Sequence, residues 1–403
     1  MKLWSRVSLD IRLSFSKDNR MHILEIPSFF TPYGGEFCLE QAKALDRLGH
    51  EVRILSHVQL AVTMGMKDYL TLPYGRRVSE REGITVWQTF QRGVPKVIRW
   101  NVMHWVKTVQ QQFGAYVDHY GVPDLLHAHC GKWAGYTAML IAREYNIPYF
   151  ITEHLSLMSL AQEFGPAPSN AWQLPLLRMA YQNAALVIPV AAEIVKDTAC
   201  YYGEDYRWEE VSNLVDTDFY CYQTRLPLKD RRFAFCCVAA YDYRKGYDVL
   251  AKAFSMLKAR CTNVCLKIAG QGTDSKEARR LLGMVGVELL GSLDKEQVRT
   301  LLYESDALVL PSRSEVQPLV VLEAMSTGIP VVATESVPQN ERLKDACIIV
   351  PIDDATALAA AMQEMMADYS RYDGENIATQ TRALASQAVV GRKLSELFAK
   401  AKG

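Results

Sequence analysis

The chain has 403 residues, of which 49% are hydrophobic and 22% are charged. Lysine plus arginine number 45, as do aspartate plus glutamate, so the formal net charge is zero. Proteins that wrap nucleic acid normally carry a basic excess or stripe, so this balance argues against nucleic acid as a partner. The length predicts two domains, and no run approaches the roughly 18 apolar residues of a transmembrane helix.

The nine cysteines lack the spacing of a metal site, and several lie inside apolar runs, where a free cysteine behaves as a small hydrophobe. We therefore expect a cytoplasmic protein without a disulfide framework. Residues 1–20 carry charges through their centre and lack the apolar core of a signal peptide. We expect an unstructured N-terminal extension there, or the product of an upstream start codon.

Short apolar strands alternate with amphipathic helices along the chain, which is typical of parallel sheets built from βαβ units. In the first half, the predicted strands are residues 22–30, 50–56, 84–90, 124–129, 148–154 and 185–190. In the second half, they are residues 233–240, 265–270, 287–291, 307–311, 330–334 and 347–351.

A polar stretch without apolar periodicity, residues 221–232, separates the two sets of strands. We place an N-terminal domain at residues 21–220 and a C-terminal domain at residues 221–403. The chain is mostly helical from Asp353 onward.

Two glutamates, Glu315 and Glu323, lie on either side of seven residues. They follow a predicted strand and a serine-rich turn, and a helix is predicted from about Pro318. Open α/β sheets bind ligands at the carboxyl ends of their strands, where two carboxylates can accept hydrogen bonds from ligand hydroxyls. A pair of glutamates on a solvated helix is the alternative, because short motifs often match by chance.

With the Gly-Ile-Pro-Val-Val-Ala-Thr segment that follows, this pattern resembles retaining glycosyltransferase family 4, the group 1 glycosyltransferases. The resemblance extends in order over residues 21–365, through LGHEV, PDLLHAH, ITEH, VSNLVDTDFY, RKGYDVLAKAF and IAGQG. It implies a GT-B fold: two α/β Rossmann-like domains that face each other across a cleft. The N-terminal domain would bind the acceptor, and the C-terminal domain would bind the nucleotide-sugar donor.

Lys245, at the start of a predicted helix, is the natural cation for a donor diphosphate, and the adjacent Arg244 could supply a second charge. Surface lysine and arginine are the alternatives. By resemblance, Glu315 would hold the donor sugar's hydroxyls and Glu323 the ribose hydroxyls.

Further donor-binding candidates come from glycine turns, from the opening of the helix after Glu315 and from the family's base pocket. Plain structural turns are the alternative for the glycines. These candidates are Gly34, Gly35, Gly270, Gly272, Leu293, Pro318 and Leu319.

His154 ends a predicted strand, and in the family the matching histidine lies near the transferred sugar. His154 and Glu315 are therefore the catalytic candidates. His127 and His129 share one face of a strand, and His129 is the acceptor-side candidate. A hydrogen-bonded structural role is the alternative for this histidine pair.

Three departures from the family pattern bear on phosphate binding. Ala240 stands where the family usually has arginine, Val316 to Pro318 replace a Gly-Phe-Gly, and residues 335–339 replace a second Gly-Gly. A proline also removes one N–H donor. A non-catalytic GT-B partner subunit therefore remains an alternative, as does a nucleotide-sugar epimerase or phosphorylase on the same fold.

We expect a retaining glycosyltransferase that moves a sugar from a nucleotide-diphosphate sugar to a polysaccharide or lipid-linked oligosaccharide. We expect no metal and no cofactor, because no Asp-x-Asp motif follows a predicted strand and Lys245 can offset leaving-group charge. Within residues 93–113, Lys96, Arg99 and Lys107 lie near Trp100 and Trp105. This pattern suggests peripheral contact with the inner membrane face, although ordinary core packing of the helix is favoured.

Overall fold

The computed structural model describes residues 20–30, 34–60, 66–71, 74–165, 171–224, 231–338 and 346–402. The predicted extension up to residue 19, residues 225–230 of the polar stretch and residue 339 lie outside the described residues. The chain forms two compact units. The first comprises Met1–Ile151, Asn183–Leu186 and Gly391–Gly403, and the second comprises Thr152–Gln182 and Val187–Val390.

A seven-stranded sheet is built mainly from the first half of the chain, in the order β3-β4-β2-β1-β5-β6-β7. Strand β1 pairs in parallel with β2 and β5, and β2 pairs in parallel with β4, whereas the edge strand β3 is antiparallel to β4. Without β3, this is the strand order of a Rossmann fold. The strands are β1 His22–Pro27, β2 Glu51–Leu60, β3 Gly75–Arg81, β4 Ile84–Arg92, β5 Leu125–His129, β6 Tyr149–Glu153 and β7 Leu186–Pro189.

Helices connect these strands, and a short π-helical turn, Gly131–Gly135, follows β5. The helices are α1 Glu36–Arg47, α2 Met66–Thr71, α3 Ile98–Tyr120, α4 Tyr136–Tyr145, α5 Leu157–Phe164, α6 Leu174–Gln182, α7 Glu193–Asp197 and α8 Ala199–Tyr202.

The second unit contains a six-stranded sheet in the order β10-β9-β8-β11-β12-β13, and every neighbouring pair is parallel. Counted from β8, this is again the Rossmann order. The strands are β8 Phe233–Val238, β9 Val264–Ala269, β10 Val287–Gly291, β11 Ala307–Leu310, β12 Val331–Thr334 and β13 Cys347–Val350. The helices in this half of the chain are α9 Tyr247–Arg260, α10 Lys276–Leu282, α11 Lys295–Tyr303, α12 Leu319–Ser326, α13 Ala355–Ala367, α14 Gly374–Ala385 and α15 Gln387–Lys402, of which α15 passes into the first unit at Gly391.

Both faces of the second sheet are buried, as expected for parallel strands covered by helices. On β8, Phe235 and Cys237 belong to one hydrophobic cluster, and Cys236 belongs to the cluster on the opposite face. This burial explains why these strands read as continuous apolar runs in the sequence. Within the described residues, no helix is both long and apolar enough to cross a bilayer.

The two Rossmann-like units confirm the predicted fold class, and each predicted strand is present. Strand β3 was not predicted, because its sequence GRRVSER is polar and the strand is largely exposed at the sheet edge. The compact units do not divide at the predicted residue 220: Gly391–Gly403 lies in the first unit, and Thr152–Gln182 and residues 187–220 lie in the second. The domain limits stay a prediction.

Candidate functional site

The connections after β8 and β11 leave the second sheet at adjacent positions, where the strand order reverses. After β8 the chain forms a short 3₁₀ turn, Tyr243–Lys245, and enters α9 at Tyr247. After β11 it forms the serine-rich turn and enters α12 at Leu319. Ligands of open α/β sheets bind at such switch points.

An ion pair joins these two connections. Lys245 Nζ donates a hydrogen bond to Glu315 Oε1 at 2.6 Å, and Ser312 Oγ donates to the same oxygen at 2.6 Å. The side chain of Glu315 is 9% exposed and that of Lys245 is 22% exposed. Two residues predicted to bind the donor therefore contact each other, although 70 positions separate them in the chain.

Gly246 allows the two connections to approach closely. Its φ is 65°, and a Cβ at this position would lie 2.0 Å from the carbonyl oxygen of Pro311. Only glycine fits a positive φ with another backbone so near. The glycine beside Lys245 thus positions the lysine against Glu315.

Arg244 is engaged by groups other than the glutamates. Its Nε donates to Asp242 Oδ1 at 3.0 Å, and its Nη1 donates to Ser159 Oγ at 3.3 Å. Burial by itself raises the pKa of Asp242, but the hydrogen bonds from Arg244 outweigh it and lower the pKa. Asp242 therefore partly neutralises the predicted second cation.

Arg313 is a cation that the sequence analysis missed. Its guanidinium pairs with Asp248 at 2.8 Å and with Asp353 at 2.7 Å, and it lies 4.1 Å from the ring centroid of Tyr243. Its backbone N–H donates to the carbonyl of Arg244 at 2.6 Å. Arg313 therefore holds the turn after β11 against the turn after β8. Its partners are distant in the sequence, so no local motif predicts these contacts.

Gln317 occupies part of the segment that replaces the family's Gly-Phe-Gly. Its side-chain oxygen accepts from Asn213 N at 2.6 Å and Ser212 Oγ at 3.1 Å, and its carbonyl accepts from Asn213 Nδ2 at 2.9 Å. Gln317 is buried. It ties the opening of α12 to the Val-Ser-Asn segment, which explains a polar side chain in this position.

A cavity of about 630 Å³ lies in the second unit beside Glu315. Its walls combine apolar side chains with carboxylates. The lining includes Leu155, Leu157, Met158, Glu193, Asp197, Arg313, Glu315, Val316, Glu335 and Val337. Burial and then the charge of Glu193 raise the pKa of Asp197. The walls thus offer hydrogen-bond acceptors, as a ligand rich in hydroxyls requires.

His154 directly follows β6, and the cavity lining begins at the next residue, Leu155. Glu153, which is buried, accepts hydrogen bonds from the backbone N–H groups of His154 and Leu155, each at 2.8 Å. Its other oxygen accepts from the hydroxyl of Tyr181. Burial and then the Glu153 charge raise the pKa of Tyr181 well above its usual range. Glu153 therefore fixes the turn that carries His154.

His129 lies in a buried cluster in the first unit. Its Nε2 is 2.7 Å from Glu25 Oε2, and His127 Nδ1 is 2.8 Å from the same oxygen. Burial by itself raises the pKa of Glu25, but the His127 charge and both histidine hydrogen bonds lower it to about 2. Burial and then the charge of His127 lower the pKa of His129. The arrangement fits the structural alternative, and the acceptor-side role of His129 stays a prediction.

Glu25, Cys38 and His129 have potential metal-ligand atoms within 4.8 Å of one another. These residues could hold a metal by ligand type. Glu25 Oε2, however, already lies within hydrogen-bond distance of a ring nitrogen of both His127 and His129. The chain has an Asp-x-Asp sequence at Asp216 to Asp218, outside the predicted strands. Asp216 Oδ1 accepts a hydrogen bond from the backbone N–H of Phe219 at 3.0 Å, and Asp218 forms an ion pair with Arg382 at 3.0 Å.

The remaining candidates are spread over several turns. Gly35 in the first unit has φ 86°, and a Cβ there would lie 2.4 Å from Phe29 O, which fits the plain-turn alternative for the Gly34 and Gly35 pair. Gly270, in the turn that also contains Gly272, donates to Gly291 O at 2.7 Å.

Leu293, Pro318, Leu319 and Glu323 remain predictions as donor contacts. Leu293 lines a second cavity of about 290 Å³. Pro318 is the N-cap residue of α12, so the helix begins at Leu319, one residue later than predicted. Glu323 is half-buried on α12.

Two family models match the chain. Residues 34–213 match the glycosyl transferase 4-like domain, and residues 232–368 match glycosyl transferases group 1. TuaC of Bacillus subtilis, which is named as a teichuronic acid biosynthesis glycosyltransferase, is 26% identical over 378 residues, 87% of this chain and 88% of TuaC. WcaL of Salmonella typhimurium, named for colanic acid biosynthesis, is 30% identical over 180 residues, 40% of this chain and 43% of WcaL.

Solved structures share the fold. Sucrose-phosphate synthase from Thermosynechococcus elongatus has a TM-score of 0.75 at 19% identity, over 94% of this chain and 98% of that one. HepE of Anabaena in complex with UDP and glucose has a TM-score of 0.67 at 18% identity, over 94% and 100%. The fold is GT-B. The chain belongs to the group 1 glycosyltransferases and is a glycosyltransferase that uses a nucleotide sugar.

Replacing Gly246 by alanine tests the close approach that positions Lys245. A left-handed backbone costs a non-glycine residue about 1–2 kcal/mol, and Gly246→Ala adds the clash with Pro311. We expect a larger loss of unfolding free energy, measured by urea denaturation, than for Gly49→Ala, whose φ is 92° with nothing within 4 Å of the added Cβ. Equal losses in the two variants would show that the Pro311 contact imposes no constraint.

Proposed function

We propose that the protein is a retaining, metal-independent glycosyltransferase that transfers a sugar from a nucleotide-diphosphate sugar to a polysaccharide or lipid-linked oligosaccharide. The observation that carries the donor-site assignment is the contact between Lys245 and Glu315 at 2.6 Å, at the switch point of the second sheet. It places a cation for the diphosphate beside a carboxylate for the sugar. A donor needs both groups within the span of its sugar-diphosphate linkage.

Donor binding exchanges partners within this ion pair. The diphosphate draws Lys245 Nζ away from Glu315, since it carries more negative charge than one carboxylate and also accepts charge-assisted hydrogen bonds. Glu315 is then available to accept hydrogen bonds from the sugar hydroxyls. In this assignment Glu323 accepts from the ribose hydroxyls, and the base lies near Leu293.

Transfer then proceeds on the same face of the sugar as the departing diphosphate. Lys245 stabilises the negative charge that develops on the leaving group, and the adjacent Gly246 holds the backbone that carries the lysine close to Pro311. His154, held by Glu153, lies beside the reacting sugar in this assignment. An oxocarbenium-like transition state with retained anomeric configuration follows from attack on that face.

The acceptor class rests on the relatives and on the cavity. TuaC and WcaL are named for the synthesis of teichuronic and colanic acids. The cavity beside Glu315 offers both carboxylates and apolar side chains, of which the former suit sugar hydroxyls and the latter suit the apolar faces of sugar rings. A growing saccharide chain matches this lining.

Alanine at Lys245 or Glu323 should weaken nucleotide-sugar binding. A lost charge-assisted hydrogen bond costs about 1.5–3 kcal/mol, so affinity measured by calorimetry should fall on the order of tenfold or more. Lys252→Ala is the matched control, because Lys252 is an exposed lysine of α9. Folded Lys245→Ala and Glu323→Ala proteins that bind as tightly as the control would show that the donor lies elsewhere.

His154→Ala and Glu315→Gln should affect transfer more than nucleotide binding. Contacts made mainly in the transition state lower turnover and leave ground-state binding nearly intact. We expect nucleoside-diphosphate affinity within a few-fold of wild type, or tighter for Glu315→Gln since Lys245 is released, and turnover reduced by about two orders of magnitude. Near-normal turnover in both variants would place the reacting sugar elsewhere in the protein, whereas no turnover by the purified wild-type protein would favour a non-catalytic partner subunit.

Turnover should persist in excess EDTA, because Lys245 and the backbone N–H groups of the site carry the leaving-group charge. The measurement is release of nucleoside diphosphate from UDP-, GDP- and ADP-sugars, with and without chelator, alongside a metal-dependent transferase as the control. Loss of turnover that Mg²⁺ or Mn²⁺ restores would contradict metal independence. Interconversion of donor sugars without transfer would instead support the epimerase alternative.

A further inference from the structure

An exposed apolar patch of the first unit combines side chains of α2 with side chains of the segment from β4 to the start of α3, where the Tyr69 hydroxyl donates to the carbonyl of Gly93 at 3.3 Å. We call it the α2/α3 patch. Ile98 is 63% exposed, Leu70 62% and Trp100 50%, although large apolar side chains are usually buried. The patch consists of Met66, Leu70, Val94, Val97, Ile98, Trp100 and Met103.

Hydrogen bonds hold the patch together as one surface. Arg92 donates to the carbonyls of Tyr69 at 2.5 Å and Leu70 at 3.0 Å, which fixes the end of α2 against the end of β4. The side chain of Asn101 bonds both the N–H and the carbonyl of Val94, at 2.8 and 2.7 Å, which fixes the connection to α3. The exposed apolar side chains therefore belong to an ordered surface.

Helix α3 has a separate buried stripe that accounts for its packing. Val102, Val106, Val109 and Phe113 are buried and Val117 is half-buried, which agrees with the core packing favoured for this helix. Trp105 belongs to this side, where its Nε1 donates to His57 O at 3.1 Å. Trp105 was grouped with Trp100 only in the membrane alternative, and its burial excludes it from such an interface. Core packing explains one face of α3 and leaves Trp100 and Met103 exposed.

The charged residues in the sequence around the patch are all positive over a long stretch. Between Gly83 and Val117 the sequence contains four cationic residues and no aspartate or glutamate. The cations are Arg92, Lys96, Arg99 and Lys107. Helix α2 adds Lys67 and Asp68, one charge of each sign. Apolar side chains with a tryptophan among cations match the chemistry of an anionic lipid surface.

We propose that the α2/α3 patch docks on the surface of an anionic lipid bilayer. Trp100, Ile98 and Leu70 enter the boundary between headgroups and acyl chains. The exposed cations Lys96, Arg99 and Lys107 contact lipid phosphates, whereas Arg92 is held by the carbonyls of α2. Basic residues with long stems can reach the headgroups from beside the apolar contact. The proposal is independent of the donor site, because docking requires neither donor nor acceptor.

Sedimentation with lipid vesicles tests the proposal on the full chain, without nucleotide or acceptor. Vesicles of phosphatidylglycerol with phosphatidylcholine should bind the protein about tenfold more strongly than vesicles of phosphatidylcholine alone, and added salt should weaken the binding. The double variant Ile98→Glu and Trp100→Glu should lose about tenfold or more of this binding. Val285→Glu, at a position 84% exposed in the second unit, is the control and should bind as wild type does.

Circular dichroism and nucleoside-diphosphate affinity show whether each variant is folded. The replaced side chains are exposed, so we expect both to be unchanged. Wild-type binding that is absent, or equal for anionic and neutral vesicles, would overturn the proposal. So would a folded double variant that binds the anionic vesicles as tightly as the Val285→Glu control.

Discussion

The ion pair between Lys245 and Glu315 depends on how closely the backbone after β8 approaches the backbone after β11. Gly246 permits that approach, because a side chain there would overlap the carbonyl of Pro311. Arg313 secures it from the other side through its hydrogen bond to the carbonyl of Arg244. With this spacing, a cation and a carboxylate can serve one ligand, and the assignment of the donor site follows from it.

The strand order of the second sheet alone places these two connections side by side, because β8 and β11 are neighbours. Parallel strands buried on both faces must be apolar, so the polar residues of the second unit concentrate in the connections at strand ends. The reversal of strand order between β8 and β11 leaves an opening at the carboxyl edge. The same order recurs in the first sheet, where β1 and β5 carry Glu25 and His129 on neighbouring strands.

The sequence predicted the buried strands well, because apolar runs report burial directly. It also singled out Lys245 and Glu315, which follow such runs at strand ends and which the structure brings into contact; their roles toward the donor stay a prediction. It failed at β3, whose exposed residues carry no apolar signal. It favoured core packing for α3 but did not separate the buried Trp105 from the exposed Trp100, because the side of the helix that each faces depends on the whole fold. Arg313, Gln317 and Glu153 were missed because their roles arise from contacts across the fold or from burial, which local sequence does not reveal.

The hydrogen bonds of Gln317 explain one departure from the family pattern. Gln317 replaces part of a glycine-rich turn, and its hydrogen bonds to Ser212 and Asn213 hold the opening of α12 in place. The turn is therefore fixed by a side chain where the family uses glycine.

A crystal structure with a bound nucleotide sugar tests the account most directly. It predicts Lys245 Nζ within hydrogen-bond distance of the diphosphate and Glu315 accepting from the sugar hydroxyls; a donor bound elsewhere, with the Lys245 to Glu315 pair intact, would contradict it.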